Sequence, residues 1–393
     1  ETARGLRRTP FYHALKANGA VYTEMQGWER ASWFAPEGVA PVHDYAFGRP
    51  SWFDHSQAEQ KSAREGAVMI DYSMLGKHMV EGKDAETFLQ RVSTNDVAIE
   101  DGRIIYSLML NERGGIEGDV TIARHDKTRF MVMSAISHTR RNRDHLQHAI
   151  LSSEDVIIRD VTSTYAVLAL SGPLSRAVLE TLVDIPLSNA DFSPYSLQQF
   201  YIGHAPVFAQ RLSFTGEMGW EIFITPDFAE YVFEQLYQAG QAYDLRLAGG
   251  EALNALRIEK GFVHWGADMA YTESPHQIGL DFACHLDKDI AFTGKAAYLA
   301  RKAQAKGPFL CSIKLQQPDA MLHHNEPVLR DGTIVGFVTS GAFSAAQGSA
   351  VGLCLIAPPT EKSGVEALET GDYSVLVEGR TIPAILQRKA FAR

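Results

Sequence analysis

The run Asn111-Glu112-Arg113-Gly114-Gly115-Ile116-Glu117-Gly118-Asp119-Val120-Thr121-Ile122 constrains the fold of this chain more than any other stretch. Paired glycines free the backbone for a sharp turn. The apolar-polar alternation behind them predicts a strand with one buried face. Asp119 is then held at the mouth of that strand, among apolar neighbours. A carboxylate there loses hydration unless a cation or a hydrogen-bond donor meets it. The plainer reading of the same window is an ordinary hairpin with Asp119 in a solvated turn. A second run, Ser213-Phe214-Thr215-Gly216-Glu217-Met218-Gly219-Trp220-Glu221-Ile222, has the same character: a glycine turn, then a strand that opens with an acid.

At 393 residues the chain is too long for one ordinary core, and two or three domains are expected. Helices are predicted over 57–66, 85–94, 138–151, 173–182, 226–241 and 249–261. Strands are predicted over 67–72, 103–110, 118–125 and 129–134. Beyond residue 307 short apolar runs at 309–315, 327–330, 333–340, 350–356, 373–378 and 382–387 alternate with Gly, Pro and Asp turns, the mark of a small all-β unit. Residues 1–56, rich in aromatics and proline, read as an irregular lead-in whose rings pack on the body.

Three sets of residues together resemble a known family. They are Tyr106-Ser107-Leu108-Met109-Leu110-Asn111 with Gly114-Gly115 and Asp119, then Phe214-Thr215-Gly216-Glu217 with Gly219-Trp220-Glu221, then Leu256-Arg257-Ile258-Glu259-Lys260-Gly261. In order and wording they are similar to the folate-binding motifs of the aminomethyltransferase (glycine-cleavage T-protein) family. The third motif, and Gln26-Gly27-Trp28-Glu29-Arg30 followed by Trp33-Phe34-Ala35-Pro36, resemble the folate domains of dimethylglycine and sarcosine dehydrogenases more closely. The resemblance runs from Thr9-Pro10-Phe11-Tyr12 to the last strands. It implies an α+β, three-domain cloverleaf around a central folate channel. Residues 1–65 with 157–260 would form one mixed α/β lobe, 66–156 with 261–305 a second, and 306–393 a C-terminal β-barrel-like domain.

The same resemblance assigns roles. Glu221 would hold the pterin, whose amino and ring N–H groups can both donate to one carboxylate. Asp119 would stand near the folate nitrogens that receive the carbon unit, stabilising positive charge or relaying a proton. Tyr106, thirteen positions before Asp119, would contact the folate by stacking or through its hydroxyl. Phe214 replaces a common tyrosine and keeps only the ring. Trp265 would wall the channel. His276, where an acid is more usual, would be a weak substrate-facing candidate, against the plainer reading of a structural histidine. Leu253 stands where many T-proteins have arginine, and Asp71-Tyr72-Ser73-Met74-Leu75-Gly76 departs from their Asp-Val-Ser-His-Met run. Arg257 reads equally as a structural ion-pair partner, and Arg140-Arg141-Asn142-Arg143 as a solvated helix face or a partner for the glutamate tail of folate.

The expected activity is tetrahydrofolate-dependent one-carbon transfer. The unit would come from a small N-methylated amine and end as methylene-tetrahydrofolate. Two alternatives stand beside it: a flavin-independent demethylase moving a methyl group from an O-, S- or N-methyl donor to folate, and a non-catalytic folate-binding module. The chain has no Gly-x-Gly-x-x-Gly after a strand, so FAD would sit on a missing N-terminal part or a partner flavoprotein subunit. Phosphate-loop and metal-ligand spacings are also missing, and His323-His324 reads as a loop pair. A net charge of -10 argues against nucleic acid, and no apolar run is long enough for a membrane span. Three unpaired-looking cysteines fit a reducing compartment, cytoplasm or mitochondrial matrix. The first residue is Glu1, which is expected of a processed or excised chain.

Overall fold

Period-two alternation places successive side chains on opposite faces of a strand, and two sheets use this to share one interface. The computed structural model describes residues 4–46, 48–360 and 365–392. Its first sheet has six strands, in the order Leu197–Ile202, Ala205–Gln210, Gly219–Ile224, Ala166–Ser171, Val68–Asp71 and Arg246–Leu247. The second has five, in the order Ile104–Leu110, Ile116–Asp126, Arg129–Ser134, Gly76–Glu81 and Ile157–Asp160. The C-terminal strands close into a six-stranded barrel: Phe309–Leu315, Ser349–Ile356, Thr333–Ser344, Pro327–Arg330, Tyr373–Val377 and Arg380–Gln387. Two mixed α/β lobes and a closed barrel are therefore the architecture. No helix among the described residues is long and apolar enough to cross a membrane.

The strand Gly219–Ile224 is buried along its whole length. Trp220, Ile222 and Ile224 enter the core of the first lobe. Phe223 turns the other way, into a core shared with Ala123, Met131 and Met133 of the second sheet. Glu221 has the parity of Phe223. In the strand Ile116–Asp126, Val120 and Ile122 face the second lobe's own core, whereas Ala123 faces the shared one. Asp119 has the parity of Ala123. Both acids thus look toward the space between the sheets, and a one-residue slip of either strand would turn its acid away.

The structure departs from the sequence reading in sheet membership and in the lead-in. Val68–Asp71, expected in the second lobe, pairs antiparallel with Ala166–Ser171 in the first sheet. Ile157–Asp160, expected in the first lobe, pairs with Gly76–Glu81 in the second. The chain therefore crosses between sheets inside 72–75 and 161–165, not at 65/66 and 156/157. Alternation predicts that a segment is a strand but does not choose its partner, which is a non-local matter. The lead-in is not irregular. It holds a short helix, Tyr12–Ala17, and a hairpin of Ala20–Met25 with Trp28–Phe34. The two-residue turn Gln26-Gly27 takes φ of 53° and 81°, the pair of positive values that lets a tight hairpin follow the strand twist.

Candidate active site

The strand that carries Asp119 starts earlier than expected, at Ile116, so Asp119 lies inside the strand opposite Leu108, not at its mouth. The glycine pair before it allows close approach: a Cβ on Gly115 would fall 1.9 Å from the Tyr271 carbonyl oxygen. Asp119 lines a cavity of about 1080 Å³ bounded by both sheets and the barrel. Burial pushes its carboxyl up to about 6, while its own backbone amide and the Tyr106 hydroxyl oppose the rise. The Tyr106 hydroxyl donates to Asp119 Oδ2 across a long 3.4 Å. Burial first, then the Asp119 charge, raise the Tyr106 hydroxyl well above its ordinary range, so Tyr106 stays a neutral donor. Its ring stacks loosely on that of Phe282, with centroids 6.2 Å apart and 23° between planes.

Glu221 lines the same cavity from the opposite sheet and is only 4% exposed. It makes no side-chain hydrogen bond or ion pair with any described residue. Burial pushes its carboxyl up to about 8, opposed by the charge of Lys77. Lys77 is fully buried and donates from Nζ to the Ser73 and Leu75 carbonyl oxygens at 2.8 and 2.9 Å. Burial depresses its ammonium to about 7, against the pull of Asp71, Asp160 and Glu221. A buried acid without a hydrogen-bond donor to meet it costs free energy.

Phe214 and Trp265 also line the cavity. Phe214 stacks on Phe262, with centroids 5.8 Å apart and 25° between planes. Trp265 spends its only donor inside the protein, from Nε1 to the Ile116 carbonyl oxygen at 2.7 Å. It can therefore shape the chamber as a wall but has no N–H left for a ligand. Arg141 lies over the Trp265 ring at 4.8 Å and pairs with Glu117, so it braces that wall.

His276 does not join them. Ser274 and Gln277 form a reciprocal capping box at the start of the turn Pro275–Ile278. That turn sends Ile278 to the cavity and leaves His276 outside its lining, with Nδ1 2.9 Å from Asp281 Oδ2 and the ring edge-on to Phe309. The substrate-facing expectation gives way to the structural one. Arg257 is likewise structural, bonded to buried Asp268 at 2.5 Å. Arg30, Tyr72 and His264 also line the cavity; the sequence reading held Arg30 and Tyr72 within resemblance motifs but gave none of the three a role, and it passed over Lys77 behind the cavity. Lys77 had one available signal, a lysine inside a strand whose neighbours alternate toward a core.

With this geometry described, its relatives can be set beside it. The family described as GCVT N-terminal domain matches residues 11–288, and the glycine cleavage T-protein C-terminal barrel domain matches 309–392. This chain belongs to the glycine-cleavage T-protein family, whose enzymes use folate in one-carbon transfer. It is 36% identical to the 4-methylaminobutanoate oxidase (formaldehyde-forming) of Paenarthrobacter nicotinovorans, over 100% of this chain and 46% of that protein. It is 32% identical to the mitochondrial pyruvate dehydrogenase phosphatase regulatory subunit of Mus musculus, over 95% of this chain and 44% of that one. The chain thus spans less than half the length of these two relatives. The solved structure of glycine cleavage system aminomethyltransferase T from Bartonella henselae superposes with a TM-score of 0.82, covering 99% of this chain and 98% of the other at 22% identity, which establishes the shared fold.

Proposed function

We propose that this chain transfers a one-carbon unit from an N-methylated amine to tetrahydrofolate, giving methylene-tetrahydrofolate. One observation supports the reading: two acids from different sheets, the partly buried Asp119 and the buried Glu221, line one chamber, and Glu221 has no hydrogen-bond or ion-pair partner among the described residues. A reduced pterin presents adjacent N–H donors that match such a carboxylate. Bound tetrahydrofolate would supply the two nucleophilic nitrogens that accept the carbon.

The carbon would arrive already oxidised, as the methylene of an iminium. Its bond to the amine nitrogen breaks as bonds to the two folate nitrogens form, and the amine leaves as an ammonium carrying the two displaced protons. No redox change occurs in this step. The preceding oxidation needs an electron acceptor, and FAD on another domain or subunit fits the similarity to a demethylating oxidase. At neutral pH Asp119 is mainly a carboxylate, since its carboxyl titrates at about 6. It can therefore stabilise the cationic carbon and take a proton from the attacking amine. Tyr106 orients it, and the apolar walls Phe214 and Trp265 keep water from the reacting carbon.

The similarity to a regulatory subunit favours a second reading, a folate-binding module without catalysis. One experiment separates them. The chain is mixed anaerobically, without flavin, with tetrahydrofolate and a methylated amine, either alone or premixed with formaldehyde to form the iminium, and the folate product is weighed by mass spectrometry. Methylene-tetrahydrofolate formed faster than the spontaneous reaction, and slowed about 100-fold in Asp119→Asn, is the expected result. Methyl-tetrahydrofolate from the amine alone identifies a direct demethylase. Binding with no acceleration identifies the passive module.

A further inference from the structure

The lead-in hairpin does more than cover the body. Arg30, near the middle of its second strand, reaches the same cavity as Asp119 and Glu221. Its only hydrogen-bonding contact is with Met25 Sδ, at 4.0 Å, and it makes no ion pair among the described residues. The acid whose charge acts on it most, Glu251, is engaged elsewhere, accepting from Ser32 Oγ at 3.0 Å with His43 beyond. Room for the guanidinium is built in: a Cβ on Gly250 would lie 2.7 Å from Arg30 Cζ. Tyr72, 6% exposed, lines the cavity with a buried hydroxyl that has no hydrogen-bond partner among the described residues. Glu221 and Arg30, which line the same cavity, are the charged groups whose fields reach that hydroxyl.

A cation held in a low-dielectric chamber is costly until an anion meets it. The guanidinium fork matches two carboxylate oxygens, and a tyrosine hydroxyl supplies a further donor. The pterin carbonyl is a neutral acceptor and would leave the cation unbalanced. We propose that Arg30 and Tyr72 form a carboxylate-binding subsite within this chamber. Its ligand is the carboxylate of an N-methylated amino acid that delivers the carbon, or the glutamate carboxylate of the folate itself. The inference rests on reading this cavity as the reaction chamber, and the pterin arm below tests that reading separately.

The test titrates the full chain with four ligands. These are 4-methylaminobutanoate, N-methylpropylamine (the same molecule without its carboxylate), tetrahydrofolate, and 6-methyltetrahydropterin, which lacks the glutamate. Arg30→Gln should weaken at least one carboxylate-bearing ligand about tenfold to a hundredfold and leave N-methylpropylamine and 6-methyltetrahydropterin unchanged. Loss confined to the amino acid names the donor as the source, and loss confined to tetrahydrofolate names the tail. Arg30→Lys should recover part of the affinity. Tyr72→Phe, which removes one oxygen, should show the same ligand pattern a few-fold in size, and it decides the matter if Arg30→Gln does not fold. Equal weakening of 6-methyltetrahydropterin would overturn the proposal, because the pair would then be reading the pterin. So would unchanged binding of both carboxylate ligands, or no binding of either to the unaltered chain. Failure of 6-methyltetrahydropterin alone to bind the unaltered chain counts against the pterin site and not against the carboxylate subsite.

Discussion

Glu221 and Lys77 set how the chamber responds to pH. The Glu221 carboxyl titrates at about 8 in the folded chain, against 4.5 when free, because burial disfavours its charge. The protonated form is therefore the stable one at neutral pH. Its contribution to stability is complete below 4.5 and is lost as pH rises toward 8. A pterin that donates two hydrogen bonds needs the carboxylate, so binding must expel a proton. Tetrahydrofolate affinity should rise up to about tenfold per pH unit from 6 to 8 and then level off. Calorimetry in buffers of different ionisation enthalpy should detect the released proton; affinity flat across this range would mean that the ligand does not use the Glu221 carboxylate. Lys77 holds this acid down by its charge. Because the Lys77 ammonium itself titrates at about 7, Lys77→Met should weaken binding mainly at and below pH 7, steepening the rise, with little change above 8. An unchanged rise would show that Lys77 does not act on Glu221, and a change the other way that it does not hold the acid down.

At the scale of elements, Glu59 ties the lead-in hairpin to the body. Its two carboxylate oxygens accept from Phe34 N and Gly249 N, each at 2.9 Å, joining the hairpin's last residue to the cap of the helix Gly250–Glu259. Glu59→Ala leaves two buried N–H groups without partners and should cost about 2–4 kcal/mol. Hydrogen exchange should locate the loss in residues 20–34, with the two sheets protected as before; uniform deprotection would show the hairpin to be part of the global fold. This hairpin was poorly legible in the sequence. Its first strand is only partly buried from Tyr22 onward, so it lacks a clean apolar alternation. The barrel strands were legible because each apolar run ends in a turn residue. Sheet membership at Val68–Asp71 and Ile157–Asp160 was not, since pairing depends on distant partners. In the site the same division holds. Asp119, Tyr106, Phe214, Glu221 and Trp265 lie in or beside glycine-marked motifs and meet in one cavity. Arg30 and Tyr72 fall inside runs that the resemblance marks, but nothing adjacent in sequence says which side chain of a hairpin or a crossover will turn inward.

Across the whole molecule, the chamber exists only where three units meet, with Leu310, Leu353 and Arg388 of the barrel region forming part of its wall. One buried network fixes that junction. Asp268, fully buried, accepts from Arg257 Nη1 at 2.5 Å and His264 N at 2.9 Å through Oδ2. Through Oδ1 it accepts from Thr339 Oγ1 at 2.6 Å and Ser340 Oγ at 2.7 Å, both in the barrel. Arg257 itself donates to Ser340 Oγ at 2.7 Å, so helix, loop and barrel share one set of donors and one carboxylate. Removing the acid strands a buried guanidinium, and Asp268→Ala should cost about 3–5 kcal/mol. The loop that follows Arg257 also carries His264 and Trp265 into the chamber. A loosened junction should therefore weaken tetrahydrofolate binding as well as lower the melting temperature. Arg257→Met with Asp268→Leu removes both charges together and should recover most of the stability while leaving the loop without its anchor to the barrel. If the double variant regains melting temperature but not folate affinity, the network serves to place the chamber wall; if both return together, apolar packing alone holds the three units in register.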